Sequence, residues 1–196
     1  MELNEADSPI EAITVQNLIL RNNDTEVLFV HDKGEPEGKR PGFAMPGGSI
    51  NSFTVQSTID QILKFLPVYR IDFSHFKRLL KMELNMDLLV FLTSIREGIE
   101  ETGFLIQPIR VVLEEASRNN LSSLLPNVAH KVVVVKGDVV AGELQERSTE
   151  TDYCGWFPLT SLPADTYRSH VERIKKIMPK ANIRLAETDE EANCEQ

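Results

Sequence analysis

The stretch that most constrains this chain is residues 87–102, DLLVFLTSIREGIEET. On a helix turning about 100° per residue, with Glu97 as origin, Glu101 falls at ~40° and Glu100 at ~300°. Leu88, Leu92, Ile95 and Ile99 fall at ~160–220°, on the opposite side. The segment is therefore a helix with one face that must be buried and another carrying three carboxylates within an arc of ~100°. Gly103 follows it, well placed as a C-terminal cap. Two accounts satisfy this pattern: a solvated acidic face, or oxygen ligands gathered for a hard divalent cation such as Mg²⁺ or Mn²⁺. Glu100 and Glu101 stand in the last turn, where the helix dipole disfavours negative charge by about 0.3–1 kcal/mol. That cost argues against a purely structural purpose.

Around this helix the chain reads as strands. AITVQNLILRN and EVLFVHDK are separated by the turn-rich NNDT, and FAMPGG is a short strand ending in two glycines. FLIQPIRVVLEEA, KVVVVKG and CGWFPL supply further apolar, β-branched stretches, with Trp156 expected in the core. A second helix is expected over residues 165–178, stopped by Pro179. Between Gly48 and Arg96, TVQSTIDQILKFLPVY and DFSHFKRLLKMEL have helical periodicity, with a break at Pro67 and a cap at Asp72 or Ser74. Strands mixed with a few helices make an α/β or α+β domain.

With 196 residues, one substantial core suffices. The formal net charge of −9 argues against broad, sequence-independent nucleic-acid binding. It leaves room for a nucleotide carried to an acidic site by a metal ion. Cys154 and Cys194 have neither CxxC spacing nor histidine partners, so both are expected as free thiols. None of His31, His75, His130 and His170 forms a ligand pair at metal spacing. The polar MELNEADSPIE is no secretory signal, and no apolar run approaches the roughly 18 residues of a membrane span. A cytoplasmic protein with no membrane partner is expected.

REGIEETGF, residues 96–104, resembles the second half of the Nudix box, GX5EX7REUXEEXGU, with Gly98 where an apolar residue is usual. GFAMPGG resembles the same family's strand ending in Pro-Gly-Gly, and CGWFPLTSLP its Trp-x-Pro-Leu segment. Between the second glycine and the arginine lie 47 residues, 49 to 95, where the pattern has 13. The excess is the helical excursion, and with it goes the first glutamate of the box: Leu88 or Thr54 stands where counting places it. The resemblance implies a Nudix-type α/β/α sandwich with a mixed sheet. It spans residues 1–186 as one domain, with a helical insertion over 49–86 and an acidic, disordered tail over 187–196.

What the resemblance further implies is a hydrolase cleaving the diphosphate of a nucleoside diphosphate linked to another group, with Mg²⁺ or Mn²⁺ as cofactor. Glu97, Glu100 and Glu101 would be metal ligands, joined by the carbonyl of Gly47. Glu100 is the alternative base, and Arg96 would orient the glutamates. Among the acids of GELQERSTETD, Glu150 is the candidate general base. Lys39 and Arg40 would meet substrate phosphate from the loop before the Pro-Gly-Gly strand. The missing glutamate motivates an alternative, a ligand-binding or regulatory module on the same fold. The apolar residues of the excursion must bury against the domain or a second subunit, so a homodimer contact is a further expectation.

Overall fold

The computed structural model describes residues 12–33, 41–50, 54–82, 86–117, 130–148 and 151–187. Among these residues seven strands are formed: β1 (Ala12–Arg21), β2 (Glu26–Asp32), β3 (Gly42–Ala44), β4 (Gly47–Ser49), β5 (Phe104–Ser117), β6 (His130–Gly142) and β7 (Thr151–Pro158). Four helices accompany them: α1 (Val55–Val68), α2 (Phe73–Leu79), α3 (Leu88–Thr102) and α4 (Arg168–Ile177). The strands join in one mixed sheet of order β3-β2-β1-β6-β5, with β4 paired to β1 and β7 to β2. β1 and β6 run parallel, from Ala12 opposite His130 to Ile19 opposite Gly137, and the other pairs are antiparallel. The fold is α/β, a mixed sheet with helices on both faces.

The two-residue period of a strand sorts side chains between those faces. On β1 and β6, Leu18, Val132 and Val134 join the cluster containing Val171 and Ile174 of α4. Their neighbours Val15, Val133 and Val135 cluster with Val90 of α3. The continuous apolar run of β6 is what burial on both faces requires. Between β1 and β2 the chain turns through Asn22, Asn23 and Asp24, all at positive φ, residue types that tolerate the left-handed region.

The excursion between β4 and α3 does form two helices. Thr54 caps α1 through a hydroxyl that accepts from Ser57 N (3.1 Å), and Asp72 caps α2 by accepting from Ser74 N (2.8 Å). Pro67 does not break α1 where expected. The helix runs through it and ends one residue later at Val68, so the missing N–H falls in the last turn. Ile62, Leu66, Ile71, Phe76 and Leu79 pack on Phe91, Leu92, Ile95 and Ile99 of α3. These five residues thus cover the side of α3 that faces away from its carboxylates, whereas Leu63, Phe73 and Leu80, expected to bury, are exposed.

Three further expectations change. The glycines after Pro46 do not end a strand but form β4 against β1. Trp156 is half-buried, with the Arg21 guanidinium 4.4 Å above its ring, because β7 pairs with β2 away from the centre of the sheet. Leu88, expected on the buried face, is the first residue of α3 and is 39% exposed. Residues 188–196, the bulk of the acidic tail with Cys194, lie outside the described residues.

A polar tie joins β5 to α4. Glu115 accepts from Arg173 Nε (2.6 Å) and from Lys176 Nζ (2.7 Å). Burial alone would raise the Glu115 carboxyl, but hydrogen bonds from Lys176 and Arg173 outweigh it and hold its pKa below the ordinary 4.5. A carboxyl depressed in the folded state contributes stability that is complete above the unfolded pKa and lost as pH falls through the folded one. Glu115→Gln is therefore expected to lower the midpoint of thermal unfolding at pH 7 while flattening its decline below pH 4.5. A variant whose acid decline parallels that of the parent would show that Glu115 carries no pH-dependent stability.

Candidate active site

The glycine turn and the carboxylate helix meet. Asn17 of β1 holds both: its backbone N–H donates to Pro46 O (2.7 Å) and its side-chain Nδ2 to Ser94 O (3.0 Å). Ser94 Oγ donates back to Asn17 Oδ1, and both residues are fully buried. This pair pins α3 to β1 at the register that brings Gly47 and Gly48 beside Glu97 and Glu101. Gly47 N–H donates to Glu101 Oε2 (2.7 Å). A Cβ on Gly48 would overlap Glu97 Oε1, so the glycine lets that carboxylate stand against the turn. Arg96 donates from Nη2 to Glu97 Oε1 and from Nη1 to Glu100 Oε2 (3.0 Å).

The carboxylate side of α3 is not a solvated surface. Glu97, Glu101 and Arg96 are 3%, 8% and 7% exposed, which excludes a plain acidic face. Buried carboxylates are tolerated only where ionic or hydrogen-bonding partners compensate for lost water. Here Arg96 and the Gly47 N–H supply part of that compensation. Among the described residues, no three His, Cys, Asp or Glu side chains converge on one point as cation ligands. The chemistry of the donor set nevertheless fits a hard divalent cation: three oxygen donors within one helical turn, beside a backbone turn without side chains.

The last turn of α3 is tied down group by group. Gly103, at φ 76°, donates to Ile99 O (2.9 Å). Tyr69 Oη donates to Glu100 O (3.3 Å), Thr151 Oγ1 to Glu101 O (3.4 Å) and Gln145 N to Thr102 O (2.9 Å). The carbonyls of Ile99, Glu100, Glu101 and Thr102 thus each have a donor. Burial, then the Glu100 carboxylate, push the Tyr69 phenol above its ordinary pKa of 10.0, so it stays a donor. Cys154, the buried free thiol beneath the site, is pushed up to about 12 by burial and then by Glu101, and is inert as a nucleophile. Gly98, the departure from the apolar position of the motif, has a local reason. A Cβ there would overlap Ile106 Cγ1, because β5 passes hard against α3.

Arg96, Glu97, Glu100, Glu101 and Gly47 are thus brought together, with Glu97 and Glu101 toward the glycine turn and Glu100 toward Arg96 and Tyr69. Lys39, Arg40 and Glu150 lie outside the described residues. Lys33, before Lys39 and Arg40 in the chain, is exposed and donates to Ser148 O (3.3 Å). Sequence reasoning missed Asn17, Ser94, Thr151 and Tyr69, whose partners lie far along the chain. It also set aside His31, which lies between Asp152 Oδ1 (2.6 Å from Nδ1) and Asp165 Oδ2 (3.4 Å from Nε2).

No protein-family model matches the chain, and no curated protein matches it. Solved structures do. A Nudix hydrolase from Nitrosomonas europaea superposes with a TM-score of 0.55 at 14% identity, over 93% of this chain and 80% of that one. A UDP-X diphosphatase gives a TM-score of 0.53 at 16% identity, over 94% of this chain and 70% of that one. At such identities the likeness is one of fold, and the fold is the one these proteins share.

Proposed function

We propose that this chain is a divalent-metal-dependent hydrolase that cleaves the diphosphate linkage of a nucleoside diphosphate joined to another group. The observation that carries this reading is the interlock of the Gly47–Gly48 turn with Glu97 and Glu101 on α3. It joins two distant motifs into one oxygen-lined locus. The fold shared with a UDP-X diphosphatase and a Nudix hydrolase supports it. Glu97, Glu100 and Glu101 would hold Mg²⁺ or Mn²⁺, with the Gly47 carbonyl as a further donor. When bound, the cation offsets charge on the phosphoryl oxygens and makes water a better nucleophile at neutral pH.

The chain's own residues then have defined tasks. Arg96, shared between Glu97 and Glu100, aims both carboxylates. The Gly47 N–H fixes one oxygen of Glu101 beside the glycine turn. Glu100 or Glu150 would take the proton of the attacking water, and Lys39 and Arg40 would meet substrate phosphate.

The test is turnover of a panel with Mg²⁺ or Mn²⁺: nucleotide sugars, ADP-ribose, NADH, dinucleoside polyphosphates, dNTPs, coenzyme A and capped RNA. Hydrolysis at the diphosphate of one class is the expected result. Silence across the panel with Mn²⁺ binding retained would favour the regulatory module, the reading motivated by Leu88 and Thr54 in place of the first box glutamate.

A further inference from the structure

The helical excursion touches the carboxylate helix at a polar point as well as through its apolar packing. α1 ends at Val68, Tyr69 is its C-cap, and Arg70 follows at φ 55°. Ile71 N donates to Leu66 O (2.8 Å) and Arg70 N to Pro67 O (3.3 Å), the paired bonds of a Schellman turn. Such a turn wants glycine at its left-handed position, because a Cβ there crowds the backbone. Here an arginine is held in it. The turn directs Tyr69 onto α3, where its ring packs near Phe65 (centroids 6.2 Å apart) and its hydroxyl meets Glu100 O.

That carbonyl lies in the final turn of α3, where no backbone N–H of the helix reaches it. Phe104 N, the donor that would serve it if the helix continued, is turned to Thr102 Oγ1 (3.2 Å). The hydrogen bond therefore fixes the backbone of Glu100 from a segment that supplies no carboxylate to the site. Arg96, which donates to the Glu100 carboxylate (3.0 Å), stands one turn earlier on the same helix. A rotation of that backbone would carry the Glu100 carboxylate away from Arg96.

We propose that Tyr69 is a positioning residue for the metal site, whose hydroxyl, through the Glu100 carbonyl, sets the placement of the Glu100 carboxylate. This rests on the metal-site reading above. Partners that orient ligands from behind typically change metal affinity by tenfold or more when removed.

The experiment is Mn²⁺ binding to the full chain, followed by the loss of the free Mn²⁺ resonance, for the parent, Tyr69→Phe and Phe65→Leu. Tyr69→Phe keeps the ring and loses only the hydroxyl. Its Mn²⁺ affinity is expected to fall about tenfold, with a metal-free thermal midpoint within about 4 °C of the parent. Phe65→Leu disturbs the same packing but keeps the hydroxyl, and should retain the parent's affinity. Unchanged affinity in a folded Tyr69→Phe overturns the proposal, as does an equal loss in Phe65→Leu, which would assign the effect to packing at large. A parent chain that binds no Mn²⁺ would overturn the metal-site reading itself, and this proposal with it.

Discussion

Glu101→Gln is expected to fold like the parent, to bind Mn²⁺ weakly and to turn over substrate about a hundredfold more slowly or worse. A fall of that size corresponds to about 3 kcal/mol of lost transition-state stabilisation, the scale on which a metal ligand acts. The fold should survive because the structural contact of Glu101 does not need its charge. Gly47 N–H donates to Oε2 (2.7 Å), and a glutamine carbonyl oxygen can accept the same bond. What glutamine cannot do is offer a second anionic oxygen to a hard cation. Charge and shape are thereby separated in one substitution. Its control is Thr151→Val, which removes the hydroxyl donor to Glu101 O (3.4 Å) and leaves the carboxylate intact. A correctly folded Glu101→Gln with parental turnover would remove Glu101 from the site and leave the buried carboxylates without a chemical purpose.

What could be read in the chain before its structure follows from local physics. The helix around Glu97 was legible because a period of 3.6 residues separates its faces without help from the rest of the molecule. Gly103 was legible for the same reason: a left-handed cap is a local event. The double-sided strand β6 announced itself by an unbroken run of valines. Asn17 and Ser94 were not legible, since they are separated by 77 positions and either alone is an ordinary polar residue. Tyr69 was illegible in another way. It sits at the end of an amphipathic helix, where an aromatic is expected to pack, and only its placement beside Glu100 gives its hydroxyl a role. The burial of Glu97 and Glu101 was not legible in the pattern of the helix either. A helix with one apolar face suggests that the other meets water, yet α3 is covered on both sides: by the excursion on one, by β4 and the glycine turn on the other.

Replacing residues 51–84 with a short loop is expected to yield an insoluble or self-associating chain rather than a trimmed enzyme. The excursion is built into the core: Ile62, Leu66, Ile71, Phe76 and Leu79 are each at most 5% exposed and cover Phe91, Leu92, Ile95 and Ile99 of α3. Fully burying a side chain of this size contributes about 1.5–3 kcal/mol. Five such residues contribute about 8–15 kcal/mol before the entropy of ordering their helices is subtracted. Net stabilities of domains are themselves only about 5–15 kcal/mol. More decisive is what remains: four large apolar side chains of α3, each at most 1% exposed in the intact chain, would face water together on the helix that carries the carboxylates. A contiguous patch of that kind drives association. The graded version of the experiment is Leu66→Ala, a single cavity in the same layer, expected to cost about 2–5 kcal/mol by denaturant unfolding. A soluble, monomeric, folded product of the loop replacement would show that α3 finds other cover, and that the excursion is an appendage rather than the outer half of the core on that side.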